Sequence, residues 1–347
     1  MRSFERIGVW NTAFLGDAVL TLPLLAALHT AWPGAELHFV VRGGLEGLFA
    51  AQEGLTSVTG FSKRGEHRGL AAAWSFGRSM ARKQPDLWIS AHASLRSAVV
   101  SLATGAPVRI GYRSPAYNRM AYTHTVDRGF GRYDEIERLL RLLRPLDREP
   151  RAGAFPWPDL TLPLAARLQA EELLGALPRP LLGVHPGSTW PTKQWPVEYF
   201  ARVAALAADA GATVAVFGGP GEEEDAAAVV RGAARPSHQV VNLASRPDLP
   251  GLAACIRRLD AYLSNDSGPM HLAWMQRVPT LALFGPTVRE LGFFPRGDTA
   301  HVLEVPDLHC RPCGLHGPRR CPEGHHRCMR DLRPELVWEH LAPMLGV

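Results

Sequence analysis

Four short polar stretches interrupt apolar runs in this chain of 347 residues, and each carries side chains suited to handling protons or anions. The first is NTAFLGDAVLTLP, where Gly16 and Asp17 open a helix. A carboxylate there can cap the helix and complement its dipole, or it can act as a general base at the end of a strand. The second is HPGSTWPTKQWP, with the hydroxyls of Ser188, Thr189 and Thr192 and the amine of Lys193 just before a helix that Pro196 helps to start. That set suffices to cradle a diphosphate, though a solvated lysine beside helix-capping hydroxyls would read the same way. The third is SNDSGPMHLAW, in which Asp266, Ser267, Gly268 and His271 follow a strand and begin a helix. A lone histidine is usually a hydrogen-bonded core residue, but three anion- or sugar-gripping neighbours at one helix start suggest a ligand floor, because buried polar atoms are costly unless paired. The fourth is FGGPGEEEDAA, where the glycines leave room for a nucleoside and Glu222 is placed to accept from ribose hydroxyls. Glu223, Glu224 and Asp225 fit a solvated first turn.

A fifth cluster is different in kind. Cys310, Cys313, Cys321 and Cys328 are spaced C-x2-C-x7-C-x6-C, with His309, His316, His325 and His326 nearby. The first pair has zinc-ligand spacing and the remainder does not match a common zinc module, so bound metal, paired thiols and free thiols all stay open. Cys255 lies in a helical stretch and reads as core.

The elements that must position these residues repeat. RIGVW reads as a buried strand, a helix runs from Asp17 to Trp32, Pro33 and Gly34 end it, and ELHFVV is the next strand. LLGVH, then a helix ended by Gly211, then ATVAVFGG repeats the unit half a chain later. Strands alternating with helices predict α/β domains with parallel, doubly wound sheets, and ligands bind beyond the carboxyl ends of such strands, here expected in a cleft between two domains. The Pro-, Gly- and charge-rich segment 145–163 is the natural linker. We expect domains at 1–155 and 156–330, with a terminal helix in 331–347 packing back on the first. Neither GxGxxG nor GxxxxGK[ST] is present, which weighs against a dinucleotide oxidoreductase and a P-loop enzyme.

Composition sets the outer limits. With 46% hydrophobic residues the chain supports a sizeable core, and its formal charge of +5 is spread thinly. That suggests phosphate or carboxylate ligands and no nucleic acid. Asn11 and Asp17 break the apolar region after Arg2 and Arg6, so no secretion signal is expected, and no apolar run reaches the roughly 20 residues of a membrane span. We expect a cytoplasmic protein, at most peripheral on the inner face of the cytoplasmic membrane.

Taken together, LGDAVLTLPLLAALHTAWPGAELHFV, HPGSTWPTKQWP, VFGGPGEE, SNDSGPMHLAW with VPTLALFGPT, and CPEGHHRCMRDL resemble glycosyltransferase family 9, the ADP-heptose lipopolysaccharide heptosyltransferases, over essentially the whole chain. The resemblance implies a GT-B fold of two Rossmann-like domains. It makes Asp17 the catalytic base and Lys193 the diphosphate contact. Ser188 and Thr189 match phosphate-touching hydroxyls, and Asp266, Ser267, Gly268 and His271 match the donor motif. Glu222 matches the ribose contact approximately. It implies an ADP-heptose-like donor and an acidic glycolipid or glycan acceptor, for which Lys63, Arg64, Arg109 and Arg113 are the basic candidates; surface solvation accounts for each equally well. Asp17 would deprotonate the acceptor hydroxyl in an inverting displacement. With no DxD in the chain, no cofactor and no catalytic metal are expected. The rival readings are a GT-B enzyme using another nucleotide sugar and a non-catalytic nucleotide-sugar binder.

Overall fold

A computed structural model describes residues 3–113, 115–150 and 156–347. The chain divides into two units, Met1–Thr161 and Leu162–Val347. Residues 151–155 of the expected linker lie outside the described residues, as does Arg2. The division falls later than the expected 155/156 because Gln52 reaches across to the following segment. Its side-chain amide donates to the Asp159 carbonyl at 3.1 Å and accepts from the Thr161 N–H at 3.1 Å, tying that stretch to the first unit.

The first unit's strands are β1 Arg6–Asn11, β2 Glu36–Arg42, β3 Ser57–Phe61, β4 Leu87–Ser90, β5 Val108–Tyr112 and β6 His124–Val126. They form one sheet in the order β3-β2-β1-β4-β5-β6. The second unit repeats the plan with β7 Leu181–His185, β8 Thr213–Val216, β9 Val240–Asn242, β10 Ala261–Asn265, β11 Thr280–Phe284 and β12 Ala300–Glu304, in the order β12-β11-β10-β7-β8-β9. All pairings are parallel, with Val9 opposite Phe39 and Leu182 opposite Val214. In each sheet the chain winds outward from one central strand, then returns to wind the other way. The switch lies between β1 and β4 in the first unit and between β7 and β10 in the second, which is where doubly wound sheets open a crevice for ligands.

Local chemistry refines two expected elements. The helix expected from Asp17 to Trp32 is two helices, Leu15–Leu20 and Leu22–Ala31. Pro23 has no N–H to continue the ladder, and the Thr21 hydroxyl donates to the Asp17 carbonyl at 2.8 Å while accepting from Asn11 Nδ2 at 2.9 Å. The terminal helix, Pro334–Leu345, was expected to pack on the first domain. It instead buries Val337, Leu341 and Leu345 in the second unit's core with Val203, Val214 and Leu263. Its apolar stripe matches the helix Val197–Asp209, whose Phe200, Val203 and Ala207 lie in the same cluster.

Candidate donor and acceptor sites at the two switch points

In the second unit, three of the polar stretches converge at the carboxyl ends of β7, β8 and β10, and the segment after β11 joins them. Lys193, on a single 3-10 turn Pro191–Lys193, is buried, and its Nζ lies 2.5 Å from Asp266 Oδ2 although 73 positions separate them in the chain. The same carboxylate oxygen accepts from the Thr287 hydroxyl at 2.7 Å. A buried ion pair of this kind costs desolvation and is held in place by the added hydrogen bond. Asn265, fully buried at the end of β10, accepts from the Trp195 N–H at 3.0 Å and donates to the Pro186 carbonyl at 2.7 Å. It therefore staples the Ser188–Lys193 loop to the neighbouring strand. Sequence reasoning did not single out Thr287 or assign Asn265 this task, although both stand in the quoted motifs.

Ser267 is the N-cap of the helix Gly268–Met275, and its side chain makes no capping bond. Its hydroxyl meets Ser264 at 3.0 Å, so the first-turn N–H groups of that helix present an anion site. His271 is buried, and its Nδ1 accepts from Trp274 Nε1 at 3.0 Å, which leaves the proton on Nε2. Burial, with the charge of Lys193 adding to it and that of Asp266 opposing it, lowers its pKa to about 4. His271 is a neutral N–H donor. Ser188 is buried and donates to the Asp266 carbonyl at 3.4 Å, whereas Thr189 is exposed. The Thr192 hydroxyl, expected to face phosphate, donates to the Pro318 carbonyl at 2.5 Å.

Glu222 joins this cluster. Its Oε2 lies 3.0 Å from His185 Nε2 and accepts from the Gly219 N–H at 2.8 Å. Burial alone would raise its pKa, but these two partners outweigh that and hold it below the ordinary value. A Cβ at Gly187 would run into the Glu222 carboxyl group, so glycine is what lets the loop after β7 approach it.

The cysteine-rich segment folds against this loop. His326 Nε2 donates to the Thr192 carbonyl at 2.8 Å, Trp195 Nε1 donates to Leu332 O at 2.8 Å, and the rings of Trp190 and His316 stack 5.8 Å apart. Arg311 donates to Thr287 O at 2.8 Å and to Glu304 Oε2 at 2.6 Å. Cys310, Cys313, Cys321 and Cys328 stand as free thiols, and burial lifts the last to about 11. Among the described residues no three His, Cys, Asp or Glu side chains are grouped to hold a metal ion.

In the first unit the matching crevice carries Asp17. Its Oδ2 accepts from the Phe14 N–H at 3.1 Å, the capping role anticipated as the plainer reading. Burial raises its pKa, against the opposing effects of that N–H and of the charges on Arg128 and Lys63. Lys63 falls to about 8 through burial and the charges of Arg42 and Arg96, with Asp17 opposing. His92, just past β4, is brought to about 3 by burial and by Lys63, Arg128 and Arg96. Arg128 is itself held by the buried Glu135, whose two oxygens lie 3.1 and 3.3 Å from its Nη2, and it packs 4.4 Å from the Phe130 ring. Of the four basic candidates, Lys63 alone joins this set. Arg109 spends its guanidinium on the carbonyls of Ala121, the last residue of the helix Asn118–Ala121, and of Ala106, just before its own strand, at 2.7 and 2.6 Å. Arg64 and Arg113 are exposed. Arg42, Arg96 and Arg128 were missed. The available signal was position: Arg42 ends β2, Arg128 follows β6 by two residues, and Arg96 lies in the first turn of the helix Leu95–Ala103 that follows β4.

Two doubly wound parallel sheets, one with polar loops suited to an anion and the other with a carboxylate among cations at its switch point, make up the GT-B architecture. The family model described as glycosyltransferase family 9 (heptosyltransferase) matches residues 73–317, and the chain belongs to that family. It is 32% identical over 216 residues to lipooligosaccharide heptosyltransferase 2 of Campylobacter jejuni, a match covering 62% of this chain and 66% of that protein. To lipopolysaccharide heptosyltransferase 1 of Pseudomonas aeruginosa it is 29% identical, over 97% of this chain and 95% of the relative. The crystal structure of a glycosyl transferase family 9 protein from Veillonella parvula superposes with a TM-score of 0.88 at 25% identity, covering 100% of this chain and 98% of that one.

Proposed function

We propose that this protein is an inverting heptosyltransferase that moves a heptose from ADP-heptose to an acidic sugar of a lipopolysaccharide core or related glycan. The observation that carries the reading is the contact between Lys193 and Asp266 at the switch point of the second unit, beside the uncapped helix start at Ser267. In this reading Lys193 and the first-turn N–H groups stabilise charge growing on the departing nucleotide diphosphate, where fixed dipoles act most strongly. The neutral His271 donates its Nε2 proton to a phosphate oxygen without adding charge. Ser188 and Thr189 supply hydroxyls, and Glu222 accepts from ribose hydroxyls. Asp17 takes the proton of the acceptor hydroxyl as that oxygen attacks the anomeric carbon. Its raised pKa makes it a stronger base than an exposed aspartate.

The acceptor's negative charge is met by Lys63, Arg42, Arg96 and Arg128. Such an acceptor is a membrane glycolipid, so the enzyme works peripherally at the membrane's cytoplasmic face. The proposal is tested by incubating purified protein with ADP-heptose and a Kdo-terminated acceptor, following ADP release and the mass of the product. Calorimetric titration of ADP-heptose against UDP- and GDP-sugars tests the donor. Preference for another nucleotide would replace heptose transfer with a different glycosyl transfer; donor binding with no turnover on any acidic acceptor would leave a binding protein.

A further inference from the structure

The helix Leu70–Ala81 buries Ala73, Phe76, Gly77 and Met80 against the first unit. Its exposed side carries Leu70, at the edge of the buried face, and Trp74, one turn apart and 47% and 46% exposed. The same four-residue spacing continues through Arg78 to Arg82, and Arg68 stands just before the helix, all three exposed. None of these three guanidinium groups has an ion-pair or side-chain hydrogen-bond partner among the described residues. The helix contains no acidic residue. The acids nearest in sequence are Glu66, which is exposed, and Asp86, whose carboxylate is taken by the N–H groups of Glu5 and Arg6.

We propose that this face of Leu70–Ala81 docks on the surface of an anionic lipid bilayer. The charge pattern selects that occupant. Two apolar side chains beside three uncommitted arginines suit a shallow seat at the headgroup level, where an indole rests in the interface and guanidinium groups meet lipid phosphates. A second apolar pair shows the contrast. Leu164 and Leu168 are more exposed, at 62% and 61%, yet their helix sets Glu171, paired with Arg258, and Glu172 against the single Arg167, whereas Leu70–Ala81 carries no acid. The inference rests on the proposed glycolipid acceptor for its biological sense. Its test needs neither donor nor acceptor, so the two can fail separately.

Sedimentation with vesicles of phosphatidylcholine, with and without about one third phosphatidylglycerol, reads the binding. The wild type should pellet with the anionic vesicles, weakly with the neutral ones, and less as salt is raised. Leu70→Ser/Trp74→Ser and Arg78→Glu/Arg82→Glu should each lower the bound fraction about tenfold or more, while Leu164→Ser/Leu168→Ser should bind as the wild type does. Should a double variant melt early, Arg78→Gln/Arg82→Gln, which alters no buried group, carries the same test with a smaller drop. The proposal is overturned if the wild type stays in solution with both vesicles, if it binds neutral vesicles equally, or if the patch variants bind like the wild type. A change of oligomeric state in those variants without any vesicle binding would also overturn it, marking the face as a contact between protein copies.

Discussion

The carboxylate of Asp17 is held by the Phe14 N–H and faces the charges of Arg128 and Lys63, yet burial still raises its pKa. As the proposed base it must be ionised, so kcat/KM should fall as pH drops through a value above the ordinary aspartate range. Asp17→Asn should reduce kcat by about 10²–10⁴-fold. Because the folded protein disfavours the ionised form, native stability is lost as pH rises toward the raised pKa. The asparagine removes that cost and can still accept from Phe14, so its melting temperature at pH 7 should be no lower than wild type. Lys63 predicts the opposite limb. Its pKa near 8 means that its charge fades above that pH, so the acceptor KM should rise there. Lys63→Arg, which keeps its charge, should hold the acceptor KM flat to pH 9 in steady-state assays. Asp17 was legible in the sequence because capping and catalysis both want an acid at that helix start. Arg128 was not, since its place depends on the buried Glu135 that holds it.

At the scale of elements, the loop Ser188–Lys193 owes its shape to groups far along the chain. Asn265 holds both flanks, at Pro186 and Trp195, and the cysteine-rich segment holds Thr192 through His326 and Pro318. His326→Ala and Thr192→Val should each raise the donor KM about fivefold, the worth of one hydrogen bond, while leaving the acceptor KM unchanged. Equal loss in both KM values would show a general loss of folding. The sequence marked this segment for its thiols. In the folded chain its His326 imidazole and the Pro318 carbonyl touch the loop Ser188–Lys193, a use that no spacing rule reveals. The terminal helix teaches the same lesson. Its amphipathic stripe was plain, but the partner was set by the apolar face left open on Val197–Asp209. Leu341→Ala should cost about 2–5 kcal/mol of stability, measured by denaturant unfolding.

Across the whole molecule the proposed roles divide by unit, with the base in Met1–Thr161 and the diphosphate grip in Leu162–Val347. Asp17→Asn should therefore bind ADP with wild-type affinity in calorimetry, while Lys193→Gln should weaken ADP at least tenfold, since a charged hydrogen bond is lost. Lys193→Gln also strands the Asp266 carboxylate, so its melting temperature must be read beside its affinity. By itself the sequence determined that two βαβ units repeat, that polar loops end the first strand of each and two later strands of the second, and which residue types those loops carry. These follow from periodicity and turn chemistry, which act over a few residues. Tertiary structure alone decided that Lys193 meets Asp266, that Arg42, Arg96 and Arg128 surround the carboxylate crevice in place of Arg109, and that the terminal helix closes the second core. Those pairings join positions tens of residues apart, and strand order fixes them by bringing the ends of non-consecutive strands side by side.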